Sequence, residues 1–216
     1  MTQSDWLTID EPDATDSCAS IATFIFAHGA GAGKDHPFMQ TIASGLAAKG
    51  IRVVRFNFPY MIKSQQDGKR RPPDRAPKLL EAYTQVIEHY APQSLVIGGK
   101  SMGGRMASHL AEHPQVSAVA CLGFPFHPPG KPERNKGEHL AALTKPCLIL
   151  QGERDTFGSK AELESQALSA SVRLQFIADG DHSFAPRKSS GYSLDANLAF
   201  AIEHLAQFII EVSNEK

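Results

Sequence analysis

The chain has 216 residues, of which 42% are hydrophobic and 21% charged, and its formal net charge at pH 7 is −1. That length suits one domain spanning 1–216 that buries about 70% of its unfolded surface, and the even balance of charge excludes nucleic-acid binding driven by phosphate neutralisation. No apolar run approaches the ~18 residues of a membrane span. The polar, acidic start Met-Thr-Gln-Ser-Asp-Trp lacks the basic and apolar regions of a secretory leader, so a cytoplasmic protein without a membrane partner is expected. The three cysteines, Cys18, Cys121 and Cys147, have no C-x-x-C spacing. Two of them sit inside apolar runs and read as buried free thiols in a reducing compartment.

Taken in order, residues 5–10 alternate apolar with polar and suit an edge strand. Residues 11–20 read as loop, and 21–27 as a buried strand running straight into His28-Gly-Ala-Gly-Ala-Gly-Lys-Asp35. A helix is expected over 37–49, closed by Gly50 as its left-handed cap, and a strand over 51–58. Residues 61–77 are basic, proline-rich and unpatterned and read as loop; Lys69, Arg70, Arg71 and Arg75 are taken as a solvated cluster, with a contact for nucleic acid or an anionic substrate tail as the alternatives. A helix over 79–90 follows, then a strand at 95–97, a helix from Arg105 to Glu112 stopped by Pro114, and a strand over 116–124. Strands at 146–151 and 172–178 flank a helix near 160–169. A terminal amphipathic helix over 194–212 places Leu198, Ile202, Leu205 and Ile209 on one face. Strands alternating with helices predict a parallel sheet covered on both faces, with ligands beyond the carboxyl ends of its strands.

The chain is organised around Gly99-Lys-Ser-Met-Gly103, which lies between a short apolar strand and a helix. Strand, G-x-S-x-G, helix is the pattern of a nucleophile elbow. It puts Ser101 on a tight turn where a Cβ at Gly99 or Gly103 would meet a neighbouring element, and it presents the hydroxyl at a helix N-terminus. A serine needs a base, and the base needs an acid to orient it. In this order of elements the acid and then the histidine follow the serine. Asp155 stands just past the 146–151 strand, with Glu153 as a rival, and His182 just past the last one. Asp179 and Asp181 read as turn residues. Backbone N–H groups of Ala30 and Met102 are the expected oxyanion donors. The His28–Asp35 loop is not a phosphate cradle, because Lys34 stands where G-x-G-x-x-G needs glycine, and His28 and Asp35 break the P-loop pattern. His109-Leu-Ala-Glu-His113 matches an inverted zinc-peptidase motif, but Pro114 ends that helix at once, and helix-end histidines complementing the dipole are the preferred reading.

With these residues in hand the chain resembles the α/β-hydrolase superfamily. His28-Gly-Ala-Gly-Ala with Asp35-His-Pro-Phe, Gly98-Gly-Lys-Ser-Met-Gly-Gly-Arg, Gln151-Gly-Glu-Arg-Asp and Gly180-Asp-His-Ser-Phe resemble a small bacterial branch of it, related to a subunit of a eukaryotic histone-acetyltransferase complex. The resemblance, over about 21–212, implies an α/β-hydrolase fold with about six to seven strands and little or no lid, and it matches Ser101, Asp155 and His182 to nucleophile, acid and base. The expected activity is serine hydrolysis of a small acyl ester or related carbonyl compound, without metal or organic cofactor, by a monomer or homodimer. Two rivals share these features: a hydrolase-fold interaction protein with a vestigial site, and an acyltransferase or peptidase using the same three residues. The loops at 60–78 and 124–140 are expected to line the substrate pocket, with His28, Asp35, Tyr60, Phe124 and Phe126 as candidate wall residues.

Overall fold

The computed structural model describes residues 6–12, 22–90 and 95–214. Cys18 and most of the 11–20 segment lie outside them. Seven strands form one sheet: β1 (Leu7–Asp10), β2 (Thr23–Ala27), β3 (Arg52–Phe56), β4 (Leu95–Lys100), β5 (Ala118–Leu122), β6 (Cys147–Gly152) and β7 (Val172–Ile177). Their spatial order is β1-β3-β2-β4-β5-β6-β7. All neighbours are parallel except β1, which runs antiparallel to β3 at the edge, where residues 5–10 were expected. β2 to β6 are buried almost throughout, as the continuous apolar runs require when helices cover both faces.

Among the described residues six α-helices flank that sheet: α1 (Pro37–Ala47), α2 (Pro59–Asp67), α3 (Ala76–His89), α4 (Met102–His109), α5 (Lys160–Leu163) and α6 (Leu194–Asn214). The pleat divides the core in two. On one face Val96 and Phe24 pack with Ile42 and Leu46 of α1 and Leu205 and Ile209 of α6. On the other, Ile25 and Ile97 pack with Tyr83 and Val86 of α3 and Met106 of α4. Cys121 and Cys147 are buried and free.

Two expectations need correction. Residues 59–67, all but the first two of them in the 61–77 stretch read as loop, form α2. Pro59 occupies its first turn, where a missing N–H costs nothing; Tyr60 buries its ring, and Gly68 closes the helix at φ +70°. Buried Tyr60 supplies what the polar surface pattern lacks. The helix near 160–169 shrinks to one turn, α5, started by a Ser159–Glu162 capping box. A 3₁₀ turn, Glu138–Ala142, buries Leu140 within the 124–140 connection.

β2 is where the chain's lateral direction reverses, with β3 on one side of it and β4 on the other. Crevices at the carboxyl ends of such strands are where open α/β sheets bind ligands. Ser101 follows β4 directly, Asp155 follows β6, His182 follows β7 and His28 follows β2, so one edge collects them all.

Candidate active site

Ser101 sits between the last residue of β4 and the first of α4 with φ +52° and ψ −116°, a strained conformation for a residue with a Cβ. The surroundings hold it there. A Cβ on Gly99 would come within 2.5 Å of the Gly103 carbonyl carbon, and one on Gly103 would lie under 3 Å from the backbone of Ala27 and His28. Only glycine admits the crossing of β2, β4 and α4, so both positions act on shape.

The Ser101 Oγ lies 2.9 Å from His182 Nε2, and His182 Nδ1 lies 2.8 Å from Asp155 Oδ2. The structure thus brings the three residues singled out in the sequence into one chain of hydrogen bonds. The Asp155 side chain is fully buried, and His182 keeps about a quarter of its own exposed. Besides His182, Asp155 accepts from Gln151 Nε2 at 2.9 Å and from the Phe157 N–H at 2.9 Å. Phe157 also lays its ring against His182 at 4.3 Å between centroids. Glu153, the rival acid, points elsewhere: it accepts from the Asp179 N–H and from Lys160 Nζ, which pull its pKa down.

The loop carrying His182 is tied on every side. Arg154 and Arg187 pair with Asp179, and the Arg187 guanidinium, together with the Arg187 N–H that donates to the same carboxylate, holds that carboxyl down at about 2. Asp181 Oδ1 accepts from the N–H groups of Ser183 and Ala185. Asn197 of α6 donates to the carbonyls of Ala178 and Phe184.

Lys100, immediately before the serine, donates from Nζ to the His182 carbonyl. It lies almost wholly buried with its ammonium 5.6 Å from the Phe38 ring centroid. Burial lowers its pKa to about 8, against the opposing pull of Asp155 and Asp181. The interaction fastens the histidine loop to the elbow. A lysine ending a buried strand is unusual, and that was its signal in the sequence.

His28 is a positioning residue for the loop after β2 and lines neither of the two hollows described below. Its Nδ1 lies 2.7 Å from the Gly29 carbonyl and its Nε2 accepts from the Phe58 N–H at 3.1 Å. That pairing requires the neutral ring with its proton on Nδ1, and burial lowers its pKa to about 4. Tyr60 adds its hydroxyl, donated toward the carbonyls of Gly29 and Ala30. With these carbonyls turned inward, Ala30 is left exposed on the loop. At the loop's far end Asp35 pairs with Lys34, and Arg55 pairs with Asp10.

A cavity of about 380 Å³ opens over Ser101 and His182, walled by Gly29–Ala32, Phe38, Met39, Lys100 and Phe157. None of the five candidate wall residues lines it. His28 and Tyr60 are buried behind the loop; Phe124 and Phe126 turn into the core and pack on each other at 4.8 Å between centroids; Asp35 is held by Lys34. The walls come instead from the first turn of α1 and from the acid loop. The 60–78 segment borders a second hollow of about 680 Å³ that shares Ala30 and Gly31 with the first.

The residues of the zinc-peptidase pattern go to separate partners: His109 stacks on His139, Glu112 accepts from Thr144, and His113 accepts from the Gln115 N–H. Among the described residues, no helix is long and apolar enough to cross a membrane.

A family model described as an alpha/beta hydrolase domain matches residues 20–210. The chain belongs to this family. Its fold is shared by Est1E from Butyrivibrio proteoclasticus, solved with ferulic acid, at 15% identity and TM-score 0.71 over 96% of this chain and 95% of that one. An α/β serine hydrolase without a lid from Xanthomonas campestris matches at 18% identity and TM-score 0.68, over 93% and 87%. An α/β serine hydrolase homologue from Coxiella burnetii matches at 19% and TM-score 0.65, over 93% and 89%. Within this hydrolase fold the serine, acid and histidine occupy the ends of β4, β6 and β7.

The burial of His28 gives the fold a pH signature. A histidine whose folded pKa is depressed from 6.5 to about 4 binds a proton more readily unfolded, so its contribution is present above pH 6.5 and lost as pH falls through 4. About 2.5 pH units correspond to roughly 3 kcal/mol. Urea unfolding at pH 7, 5 and 4 should show stability falling across that window, with a smaller fall in His28→Asn. An equal fall in both proteins would remove His28 as its source.

Proposed function

We propose that this chain is a serine hydrolase acting on a small acyl ester or related carbonyl compound. The observation that carries the reading is the continuous chain from Asp155 Oδ2 through His182 to Ser101 Oγ, with both links under 3 Å, opening on a cavity with apolar walls. The esterases and serine hydrolases among the similar folds support hydrolysis in general.

In this mechanism Asp155 keeps the His182 proton on Nδ1, leaving Nε2 free to take the proton from Ser101 Oγ as that oxygen attacks the carbonyl carbon. The negative charge moves to the carbonyl oxygen. The Met102 N–H, first of α4 and therefore without an acceptor within the helix, meets that charge together with the Ala30 N–H and the positive end of the helix dipole. His182 returns the proton to the departing alcohol oxygen as the C–O bond breaks, leaving the acyl group on Ser101. Water, deprotonated by His182, then attacks the acyl carbon and frees the serine.

Labelling by a fluorophosphonate probe tests the reading. The folded protein should label, and labelling should vanish in Ser101→Ala and after heat denaturation. A folded protein that resists the probe, or one labelled equally without Ser101, overturns it.

A further inference from the structure

We propose that the second hollow is a binding site for an anionic group, carboxylate or phosphate, carried on the leaving-alcohol side of the ester, with Arg70 as the cation that recognises it. The inference rests on the hydrolase reading and adds the class of substrate.

The hollow adjoins the reactive centre through a shared ridge, Ala30–Gly31, the same stretch expected to hold the oxyanion. On one side of the ridge Phe38, Met39 and Phe157 offer apolar walls suited to an acyl chain. On the other side stand Arg70, Arg71 and Ser64. An ester whose carbonyl lies at the ridge therefore brings only the end that enters the second hollow within reach of the Arg70 guanidinium.

Charge in this segment is lopsided and locally accounted for. Residues 59–78 hold six cations (Lys63, Lys69, Arg70, Arg71, Arg75, Lys78) and two anions (Asp67, Asp74). Asp67 grips Arg71 through both carboxylate oxygens, and Asp74 pairs with Lys78 at 2.8 Å. No acidic side chain lines either hollow. Arg70 is exposed and borders the hollow without a carboxylate partner among the described residues.

The frame around it is stiff. Arg71 also donates to the carbonyls of Lys63 and Lys69, clasping the loop to α2, while Pro72 and Pro73 fix the backbone that follows. A guanidinium on such a frame meets a planar carboxylate or a phosphate with two parallel donors. An unpaired cation near the site also raises the local concentration of an anionic substrate.

The test compares 3-acetoxybenzoate and 3-acetoxyphenyl phosphate with the neutral 3-acetoxybenzamide. The anionic esters should show kcat/KM higher by about tenfold or more, and the advantage should shrink in high salt. Arg70→Ala should bring the ratio of anionic to neutral ester near one, Arg70→Lys should restore part of it, and Lys131→Ala, removing an exposed cation outside both hollows, should leave the ratio alone. The carboxylate and phosphate arms decide which anion the site prefers. A ratio near one in the native protein, a ratio indifferent to Arg70→Ala, or a preference that follows a carboxylate on the acyl side (phenyl hydrogen succinate) overturns the proposal while fluorophosphonate labelling keeps the hydrolase reading intact. Calorimetric titration of Ser101→Ala protein with 3-hydroxyphenyl phosphate, a product, separates the two claims. Binding weakened about tenfold by Arg70→Ala supports the anion site even if labelling fails, and binding that ignores Arg70 removes it.

Discussion

Ser101→Ala is expected to lower kcat by several orders of magnitude, up to roughly 10⁶, while the protein stays folded. The hydroxyl makes one described interaction, the 2.9 Å contact with His182 Nε2, and the side chain of that histidine is about a quarter exposed, so water replaces the lost partner. The strained backbone at φ +52° remains with alanine, because it is fixed by Gly99, Gly103 and the crossing of β4 and α4. Stability should therefore move by less than about 1 kcal/mol. What disappears is the covalent step, while the oxyanion donors and the cavity persist and leave a residual rate above water. Steady-state kinetics on a short aryl ester, beside the melting temperature of both proteins, checks this. Activity within about tenfold of native in a folded Ser101→Ala protein would remove Ser101 as nucleophile.

Much of that site was legible because the chemistry and the topology constrain the same residues. The elbow must follow a strand and start a helix, and the acid and histidine must follow later strands. Ser101, Asp155 and His182 therefore fall on one sheet edge once the strands are recognised. The walls were not legible in the same way. Phe38 and Met39 look like ordinary core positions of an amphipathic helix, and they are buried against Phe184 and its neighbours as such. Only the placement of the first turn of α1 beside the elbow exposes part of them to the cavity. Phe124 and Phe126 carried the opposite error: being aromatic and just past β5 suited a wall, yet both rings are buried in the core cluster that also holds Leu140. The direction of a loop is a tertiary property. A usable signal lay in the polar residues of buried strands. Lys100 and Gln151 interrupt apolar runs at the ends of β4 and β6, and both serve the hydrogen-bond chain, Lys100 through the His182 carbonyl and Gln151 through Asp155.

Asp155→Asn and Glu153→Gln should separate the two acids by about three orders of magnitude in rate. Asp155 takes three donors with two oxygens: the Phe157 N–H on Oδ1, and Gln151 Nε2 with His182 Nδ1 on Oδ2. An asparagine offers one acceptor where three donors converge. If its oxygen faces Phe157, its amide nitrogen confronts His182 Nδ1, and the imidazole must carry its proton on Nε2, where it can no longer take one from the serine. If its oxygen faces His182, the Phe157 N–H is left against an amide N–H, and the imidazolium formed in the reaction has lost its counter-charge. Both arrangements lower kcat, by about 10⁴, and both leave a buried donor without an acceptor at a cost of about 1–3 kcal/mol. Glu153 stands outside this chain. Its carboxylate braces the Asp179 N–H and Lys160 at the rim, so removing its charge loosens the histidine loop without changing the imidazole's tautomer, and kcat should stay within about tenfold of native. The kinetics of the two variants, each with its unfolding free energy, decide the matter. A larger loss of kcat in Glu153→Gln than in Asp155→Asn would transfer the orienting role to Glu153, and it would require the histidine loop to adopt a different arrangement when substrate binds.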